Sequence, residues 1–434
     1  MAHLLVVESW VGSMSRLLPR AIREGGHEFT FLTRDLGHYL RSAPEGVGHP
    51  LLRARNVITA ETNDLDALAP VVERLHAALE FDGVISSCDY YLPTVAAVAA
   101  RLGLPGPGAD AVTRACRKDL TRQVLKEAGL DGPRFAVVEP EGGSGGSGSA
   151  TTGGPGGAEV RAARALGFPL VVKPVDLCAG MYVRRVDDEA ELVAACRELA
   201  AFPVNARGQR RAGLVLLEEL LDGPEVSVET VSCAGQVRVV GVTDKSVGGA
   251  PAFIETGHMF PAALGPAERA AAEDTALAAL KALELTDGVV AHTEIKLTSA
   301  GPRVVEVNPR PAGNRITELV RHVTGIDLAA AAVDVALGRE PDVVPRVTGL
   351  RSAAVGFLVP EADGTLAALE HDPQLLVRNE VLEAQFVGVG RAVSAARSNN
   401  EYLGHVMAGD PEGLGARDRV EALLDVVRAG LVIR

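Results

Sequence analysis

The chain has 434 residues, of which 47% are hydrophobic, so it is long enough for about three domains and is not a disordered protein. Its net charge of -13 offers no basic face for a nucleic acid duplex or a membrane surface, so we expect neither partner. The sequence has no apolar run of membrane-spanning length and no basic leader before its first strand, which predicts a cytoplasmic protein.

The N-terminal part of the chain alternates between β-strand and α-helix patterns. Strands are predicted at 3–8, 28–32 and 83–86, and helices at 14–24, 65–79 and 92–102. Such alternation is typical of a parallel, doubly wound sheet, so residues 1–112 are predicted to form a parallel α/β domain. Asp89, Tyr90 and Tyr91 follow a strand at the edge where such sheets bind ligands, and both a substrate contact and a capping role remain open.

The next segment, 113–240, is predicted to be a linker helix followed by a small lid subdomain. Its helix spans 111–129 and carries Lys118. Residues 141–157 are too rich in glycine and serine to contribute to a core, and they predict a flexible surface loop.

Two strand patterns in the lid subdomain carry residues suited to a nucleotide triphosphate. The apolar strand at 169–174 contains Lys173, whose ammonium would lie beside a phosphate. Residues 214–229 predict a buried strand, a polar turn and a second strand. Glu225 follows the turn, where its carboxylate is suited to accept hydrogen bonds from a ribose diol. The adenine edge would be read by Glu218, Glu219 and the backbone near Leu221.

A hairpin between His292 and Arg310 carries two carboxylates and an amide on adjacent strands. The turn at 299–302 lets the strands pair antiparallel, so Glu294 and Glu306 are predicted to converge, with Asn308 as a third oxygen ligand. Oxygen ligands favour Mg²⁺ over zinc, with Mn²⁺ as a substitute. The alternative is a solvated hairpin in which Lys296 forms a salt bridge with a glutamate.

These parts follow one another in an order that resembles the ATP-grasp superfamily of carboxylate–amine ligases. The resemblance runs to about residue 345 and is carried by Lys118, Lys173, E-E-L at 218–220, Glu225, H-T-E at 292–294 and E-V-N-P-R at 306–310. It implies an ATP-grasp fold, α/β and α+β, that binds ATP and Mg²⁺. It also implies phosphate contacts from Lys118 and Lys173, adenine contacts from Glu218, Glu219 and Leu221, a ribose contact from Glu225, and metal ligation by Glu294, Glu306 and Asn308.

The segment F-I-E-T-G-H-M-F-P at 253–261, preceded by T-D-K-S at 243–246, is similar to the bacilysin-type L-amino acid ligases. This resemblance implies that Glu255 and His258 hold a substrate ammonium group or help to deprotonate the attacking amine, and that Lys245 belongs to the ATP site. A solvated loop is the alternative for Glu255 and His258. The planar guanidinium of Arg310 is suited to stabilise negative charge on an acyl phosphate or its tetrahedral adduct.

The remaining boundaries place a large subdomain with the metal hairpin at 241–345 and a β-rich C-terminal domain at 346–434. Apolar and polar residues alternate in this last domain from Gly349 through Val387, and it ends in a helix at 417–429. The predicted activity is ATP-dependent amide bond formation between a carboxylate and an amine, both small-molecule substrates and both expected to be amino acids. An amide synthetase for a non-amino dicarboxylate, a purine-type carboxylase or ligase, and a non-catalytic ATP sensor remain alternatives. A homodimer is left open.

Overall fold

The computed structural model describes residues 1–9, 12–41, 49–140, 157–248, 251–370 and 372–434. The predicted surface loop at 141–157 therefore lies outside the described residues except for Gly157. Within these ranges no helix combines the length and apolar character that a membrane crossing needs.

The helices are α1 Met14–Glu24, α2 Leu36–Arg41, α3 Leu65–Leu79, α4 Leu92–Leu102, α5 Ala109–Cys116, α6 Lys118–Glu127, α7 Ala158–Leu166, α8 Glu189–Ala200, α9 Pro266–Ala282, α10 Ile316–Thr324, α11 Leu328–Ala336 and α12 Ala416–Ala429.

A parallel four-stranded sheet forms the N-terminal domain, as the alternating pattern predicts. Its strands lie in the order β3-β2-β1-β4, and they are β1 His3–Val7, β2 Glu28–Thr33, β3 Asn56–Thr59 and β4 Gly83–Ile85. Apolar side chains of α1 pack on one face of this sheet, and those of α3 and α4 pack on the other. The sheet is therefore covered by helices on both faces, which is the doubly wound arrangement.

An antiparallel four-stranded sheet forms the lid subdomain. Its order is β5-β8-β6-β7, with β5 Phe135–Val138, β6 Leu170–Pro174, β7 Arg184–Val186 and β8 Val215–Glu219. Helices α7 and α8 bury their apolar sides against this sheet. The lid sheet thus ends at Glu219, well before the predicted boundary at residue 240, because the next strand joins a different sheet.

That larger sheet has eight strands in the order β13-β12-β9-β10-β11-β14-β18-β16, and a small sheet has the order β17-β15-β19. The strands are β9 Glu225–Cys233, β10 Gln236–Gly248, β11 Ile254–Phe260, β12 Val289–Thr298, β13 Gly301–Asn308, β14 Ser352–Leu358, β15 Gly364–Leu369, β16 Val381–Phe386, β17 Ala392–Val393, β18 Gly404–Asp410 and β19 Leu431–Ile433. The predicted β-rich C-terminal segment therefore extends the sheet of the large subdomain. Its first strand, β14, is buried along its whole length rather than alternating, because helices cover the sheet.

The predicted single helix at 111–129 is two helices. The chain is extended at Arg117, with φ -113° and ψ 106°, so α5 ends there and α6 begins at Lys118. The backbone N–H of Lys118 then donates to the carbonyl of Val175, 3.0 Å away, in the segment that follows β6. This break places Lys118 at the start of a helix that faces the lid subdomain.

Candidate active site

A cavity of about 1230 Å³ lies between the lid sheet and the eight-stranded sheet. The start of α1 and the loops around β16 and β18 also line it. Most of the predicted site residues line this one cavity, and they are Lys118, Lys173, Glu218, Glu219, Leu221, Glu225, Glu255, Glu294, Glu306, Asn308 and Arg310. Residues that are up to about 190 positions apart in sequence are therefore brought to one site.

The β12–β13 hairpin brings the predicted carboxylates together, with a register shift between Glu294 and Ile295. Glu294 lies directly opposite Glu306, and His292 lies directly opposite Asn308. Side chains on directly opposed residues point to the same face of an antiparallel pair. The two carboxylates and the amide of Asn308 therefore lie on the cavity side of the hairpin.

The oxygen donors on this hairpin suit a magnesium ion that keeps some of its own ligands. In the described part of the chain, no group of three or more His, Cys, Asp or Glu side chains is arranged to hold a metal alone. Glu294, Glu306 and Asn308 offer two carboxylates and one amide, which leaves positions for water and phosphate oxygens, as Mg²⁺ prefers. The Nζ of Lys118 lies 2.9 Å from Oε1 of Glu306, so a cationic side chain lies beside these oxygen donors.

Lys173 is held by a buried ion-pair cluster rather than extending freely into the cavity. Its Nζ lies 2.6 Å from Oε2 of Glu218, and Arg122 pairs with the other oxygen of the same carboxylate. The Glu218 side chain is 2% exposed. Both oxygens of Glu218 therefore have cationic partners, and this carboxylate orients Lys173 within the cavity that both line. The predicted adenine contact of Glu218 stays a prediction.

The pKa of Glu218 predicts that the stability contributed by this ion-pair cluster depends on pH. Burial opposes the charged carboxylate, but Arg122 and Lys173 outweigh it and lower the pKa to about 2. The stabilisation is therefore complete above the ordinary Glu pKa and is lost as pH falls toward 2. We expect Glu218→Gln to lower the free energy of unfolding by about 3 kcal/mol at pH 7, and by less at each step from pH 5 to pH 3.

Urea unfolding at several pH values measures this difference. Glu219→Gln is the matched control, because Glu219 pairs with Arg134, whose side chain is 64% exposed, and exposed pairs contribute little. If the difference in free energy of unfolding between the wild type and Glu218→Gln did not change with pH, the assignment of a buried ion pair would be contradicted.

Glu225 begins β9 after the tight turn at Gly223. A Cβ at Gly223, where φ is +122°, would lie 2.2 Å from the carbonyl oxygen of Leu297, so only glycine fits against the hairpin. Lys296 donates to the carbonyl of Gly223 at 3.1 Å and lies 3.6 Å from Glu225. The lysine–glutamate pair expected for a merely solvated hairpin is thus present, but its members line the cavity. Glu219 and Leu221 lie at the same end of the cavity as this turn.

Lys245 does not reach the cavity, contrary to its predicted place in the ATP site. Its side chain is 1% exposed, and its Nζ lies 3.0 Å from Glu225, 3.1 Å from Glu255 and 3.0 Å from Glu294. Burial opposes the charge of this ammonium, but the three carboxylates raise its pKa well above the ordinary value. It is therefore a charged group beneath the cavity.

His258, which is predicted to contact substrate, lies beneath the cavity and is not among the residues that line it. The imidazole is fully buried, with Nε2 at 3.2 Å from Glu255 and its ring edge against Phe357. Glu255 does line the cavity, and Asn314 donates to the same oxygen that His258 approaches. Burial opposes ionisation of Glu255, but Lys245 and these neighbours hold its pKa well below the ordinary value. Such a carboxylate is a weak base and is better suited to hold an ammonium group.

We therefore expect His258→Ala to act through Glu255. If Glu255 binds the amine of a substrate, the KM for that substrate should rise about tenfold, as is usual when the partner of a ligand-binding group is removed. Nucleotide affinity should change less than about twofold. Steady-state kinetics for each substrate, beside calorimetric titration of nucleotide, measure both. Equal large losses in the two would place His258 in the nucleotide site, and no loss would make it a core histidine.

Arg310 follows the metal hairpin and is oriented by the N-terminal domain. Its Nε donates to Oδ1 of Asp89 at 2.6 Å, and its Nη1 donates to the carbonyl of Pro311 at 3.0 Å. Asp89 itself lines the cavity, so its predicted position at a ligand-binding edge agrees with this geometry. Among the described residues Nη2 makes no hydrogen bond, and it is therefore available to an anionic substrate group.

Several side chains that shape the site had no predicted role, and His292 is the first of them. His292 lies between two carboxylates, with Nδ1 at 3.0 Å from Glu229 and Nε2 at 3.2 Å from Glu294. Burial opposes its charge, but Glu229 and Glu294 raise its pKa to about 9. The alternation on β9, which puts Glu229 on the same face as Glu225, was an available signal.

Two C-terminal side chains also fix Glu255 through its backbone. Tyr402 donates to the Glu255 carbonyl at 2.8 Å, and the Asn399 side chain accepts from the Glu255 N–H at 3.0 Å. The backbone N–H of Asn399 donates to the carbonyl of Ala179 in the lid subdomain. Local sequence patterns do not predict these contacts, because each contact joins segments that are far apart in the chain.

Comparison with known families agrees with this architecture. The profile described as an ATP-grasp domain matches residues 166–318, that of an ATP-grasp N-terminal domain matches 20–106, and that of an L-amino acid ligase C-terminal domain 2 matches 356–432. The third match falls on the strands that extend the eight-stranded sheet.

Among similar proteins, carnosine synthase 1 of Homo sapiens is 30% identical over 82% of this chain and 42% of its own length. Alanine--anticapsin ligase of Bacillus amyloliquefaciens is 26% identical over 60% of this chain and 55% of its own length. The chain thus spans about half the length of these curated relatives. The crystal structure of an L-amino acid ligase from Bacillus licheniformis superimposes with a TM-score of 0.77 at 23% identity, covering 100% of this chain and 99% of that one. The chain therefore belongs to the ATP-grasp superfamily, and it joins the ATP-grasp domains to an L-amino acid ligase C-terminal domain.

Proposed function

We propose that this protein is an ATP-dependent ligase that joins the carboxylate of one amino acid to the amine of a second, releasing ADP and phosphate. The observation that carries the proposal is the convergence of Glu294, Glu306, Lys118 and Arg310 on one cavity that also contains Glu255. These groups supply what phosphoryl transfer to a carboxylate needs, namely metal ligands, phosphate-neutralising cations and an anion-binding guanidinium.

The proposed reaction has two steps. A carboxylate oxygen of the first substrate attacks the γ-phosphorus of ATP, the bond to the ADP oxygen breaks, and an acyl phosphate forms. The amine of the second substrate then attacks the acyl carbon, phosphate leaves with the bonding electrons, and the nitrogen loses a proton. Lys118 and Lys173 would neutralise phosphate charge, while Arg310 would bind the oxygens that become negative at the acyl carbon.

Mg²⁺ would be held by Glu294, Glu306 and Asn308, and when bound it would lower the charge on the phosphate oxygens. Glu225 would accept hydrogen bonds from the ribose, and Glu219 with the backbone near Leu221 would face the adenine. Glu255, kept ionised by Lys245 beneath it, would hold an amino group of substrate. The similarity of this chain to carnosine synthase 1, alanine--anticapsin ligase and an L-amino acid ligase supports amino acids as the class of substrate.

A matrix of amino acid pairs, assayed for ADP and phosphate and analysed by mass, tests the proposal. We expect turnover to need Mg²⁺ and two free substrates together, and to stop when the metal is chelated. AMP and pyrophosphate as products would contradict the acyl phosphate route. Product formation only with a non-amino dicarboxylate or with bicarbonate would support an amide synthetase or a carboxylase, and nucleotide binding without any turnover would support a sensor.

A further inference from the structure

Lys245 lies at a point that connects three parts of the proposed active site. Its ammonium is within 3.1 Å of carboxylate oxygens on Glu225, Glu255 and Glu294. In the proposed function these carboxylates serve the nucleotide ribose, the substrate amine and the metal, respectively. The ammonium is too deeply buried to touch any of those ligands itself.

The sheet fixes this arrangement through the backbone. On β10, Lys245 is paired with Glu225 of β9 on one side and with His258 of β11 on the other. Glu255 precedes His258 on β11, and Glu294 lies on β12, the strand beyond β9. The backbone of Lys245 is therefore fixed by paired strands on both sides, and its side chain extends from there to the three carboxylates.

The Lys245 ammonium offsets the repulsion among the three carboxylates around it. Three carboxylates around a buried point repel one another strongly unless a cation lies between them, and an unpaired buried charge is costly. Glu294 illustrates the effect, because one of its oxygens meets Lys245 and the other meets His292. Removal of the ammonium would leave each carboxylate free to turn away from its neighbours.

We propose that Lys245 is a positioning residue that aligns the carboxylates of the nucleotide, metal and amine subsites from beneath the cavity. The inference rests on the proposed function for the role of each carboxylate. It differs from a purely structural salt bridge, because it predicts that one substitution weakens several kinds of ligand binding in a protein that is still folded.

The first variant is Lys245→Met, which keeps the length of the side chain and removes its charge. Calorimetric titration with a non-hydrolysable ATP analogue at several Mg²⁺ concentrations should show a nucleotide Kd raised at least about tenfold and a higher Mg²⁺ requirement, as is usual when the partners of metal ligands are lost. Lys281→Met, at an exposed position on α9, is the matched control and should bind like the wild type.

Since Lys245→Met could fail to fold, the double variant Lys245→Met/Glu255→Gln removes one negative charge together with the positive one. It should fold, as judged by circular dichroism and thermal melting, because the charge balance of the cluster is kept. Compared with Glu255→Gln alone, it should still bind the ATP analogue at least about tenfold more weakly, since Glu225 and Glu294 have lost their common partner.

Equal nucleotide and Mg²⁺ binding by the double variant and Glu255→Gln would overturn the inference, and so would a Lys245→Met protein that is altered only in melting temperature. These binding measurements need no turnover. A wild type that binds nucleotide but joins no amino acids would therefore contradict the proposed function, while the comparison of variants would still decide the role of Lys245.

Discussion

Glu306→Gln is expected to reduce turnover by on the order of a thousandfold or more, since a metal ligand contributes several kcal/mol of charge stabilisation and each 1.4 kcal/mol is a factor of ten. Glu306 faces Glu294 across the hairpin, and Lys118 lies 2.9 Å from one of its oxygens. Glutamine has nearly the same size, so the loss would come from the missing charge, which weakens both the metal site and the orientation of Lys118.

Coupled release of ADP and phosphate measures the effect, and circular dichroism with thermal melting establishes that the variant is folded. Asp274→Asn, on the exposed side of α9, is the matched control and should turn over at the wild-type rate. Raising Mg²⁺ should restore part of the Glu306→Gln activity if the defect lies in metal affinity. A variant with a near-normal rate at ordinary Mg²⁺ would make Glu306 a surface residue of a solvated hairpin.

Arg310→Lys is expected to lower kcat by about a hundredfold to a thousandfold, the range seen when a donor to a developing oxyanion is lost. Lysine keeps the positive charge but lacks the planar fork, two of whose nitrogens are fixed by Asp89 and the Pro311 carbonyl. Because the remaining nitrogen is proposed to act on the acyl phosphate and its adduct, the Kd for nucleotide should stay within about threefold of the wild-type value.

Asp89→Asn provides a graded comparison for Arg310. It leaves the guanidinium in place and weakens only the contact that orients it, so we expect a fall in kcat of about tenfold, smaller than that of Arg310→Lys. Single-turnover kinetics and direct nucleotide titration separate the two effects. If Arg310→Lys lost nucleotide affinity as much as kcat, Arg310 would belong to the nucleotide site instead.

Local sequence patterns were sufficient for the elements that carry the site. The strand period of two and a short polar turn predicted that Glu294 and Glu306 converge with Asn308. The structure pairs Glu294 with Glu306, although it does so through a register shift at Ile295 that the pattern did not predict. The helices at 14–24, 65–79 and 92–102 have the bounds that their patterns predict. These features depend on neighbours within a few residues, so the sequence alone contains the necessary information.

The predictions were wrong at one helix boundary and for the burial of one strand. The helical periodicity of 111–129 continues through Arg117, but the chain is extended there and α6 begins at Lys118. The C-terminal strands were expected to alternate, yet β14 is buried on both faces because α10 and α12 cover opposite sides of it. Burial on the second face is decided by elements from other parts of the chain.

The sequence by itself thus determined which residue types reach the site and on which strands they lie. Only the tertiary structure decided their partners: Glu218 is paired with Arg122 and Lys173, His258 lies behind Glu255, and Lys245 lies beneath three carboxylates. Periodicity tells which face of a strand a side chain occupies. It does not tell how deep that face lies or which distant charges meet there. These long-range pairings decide which side chains line the cavity and which lie beneath it.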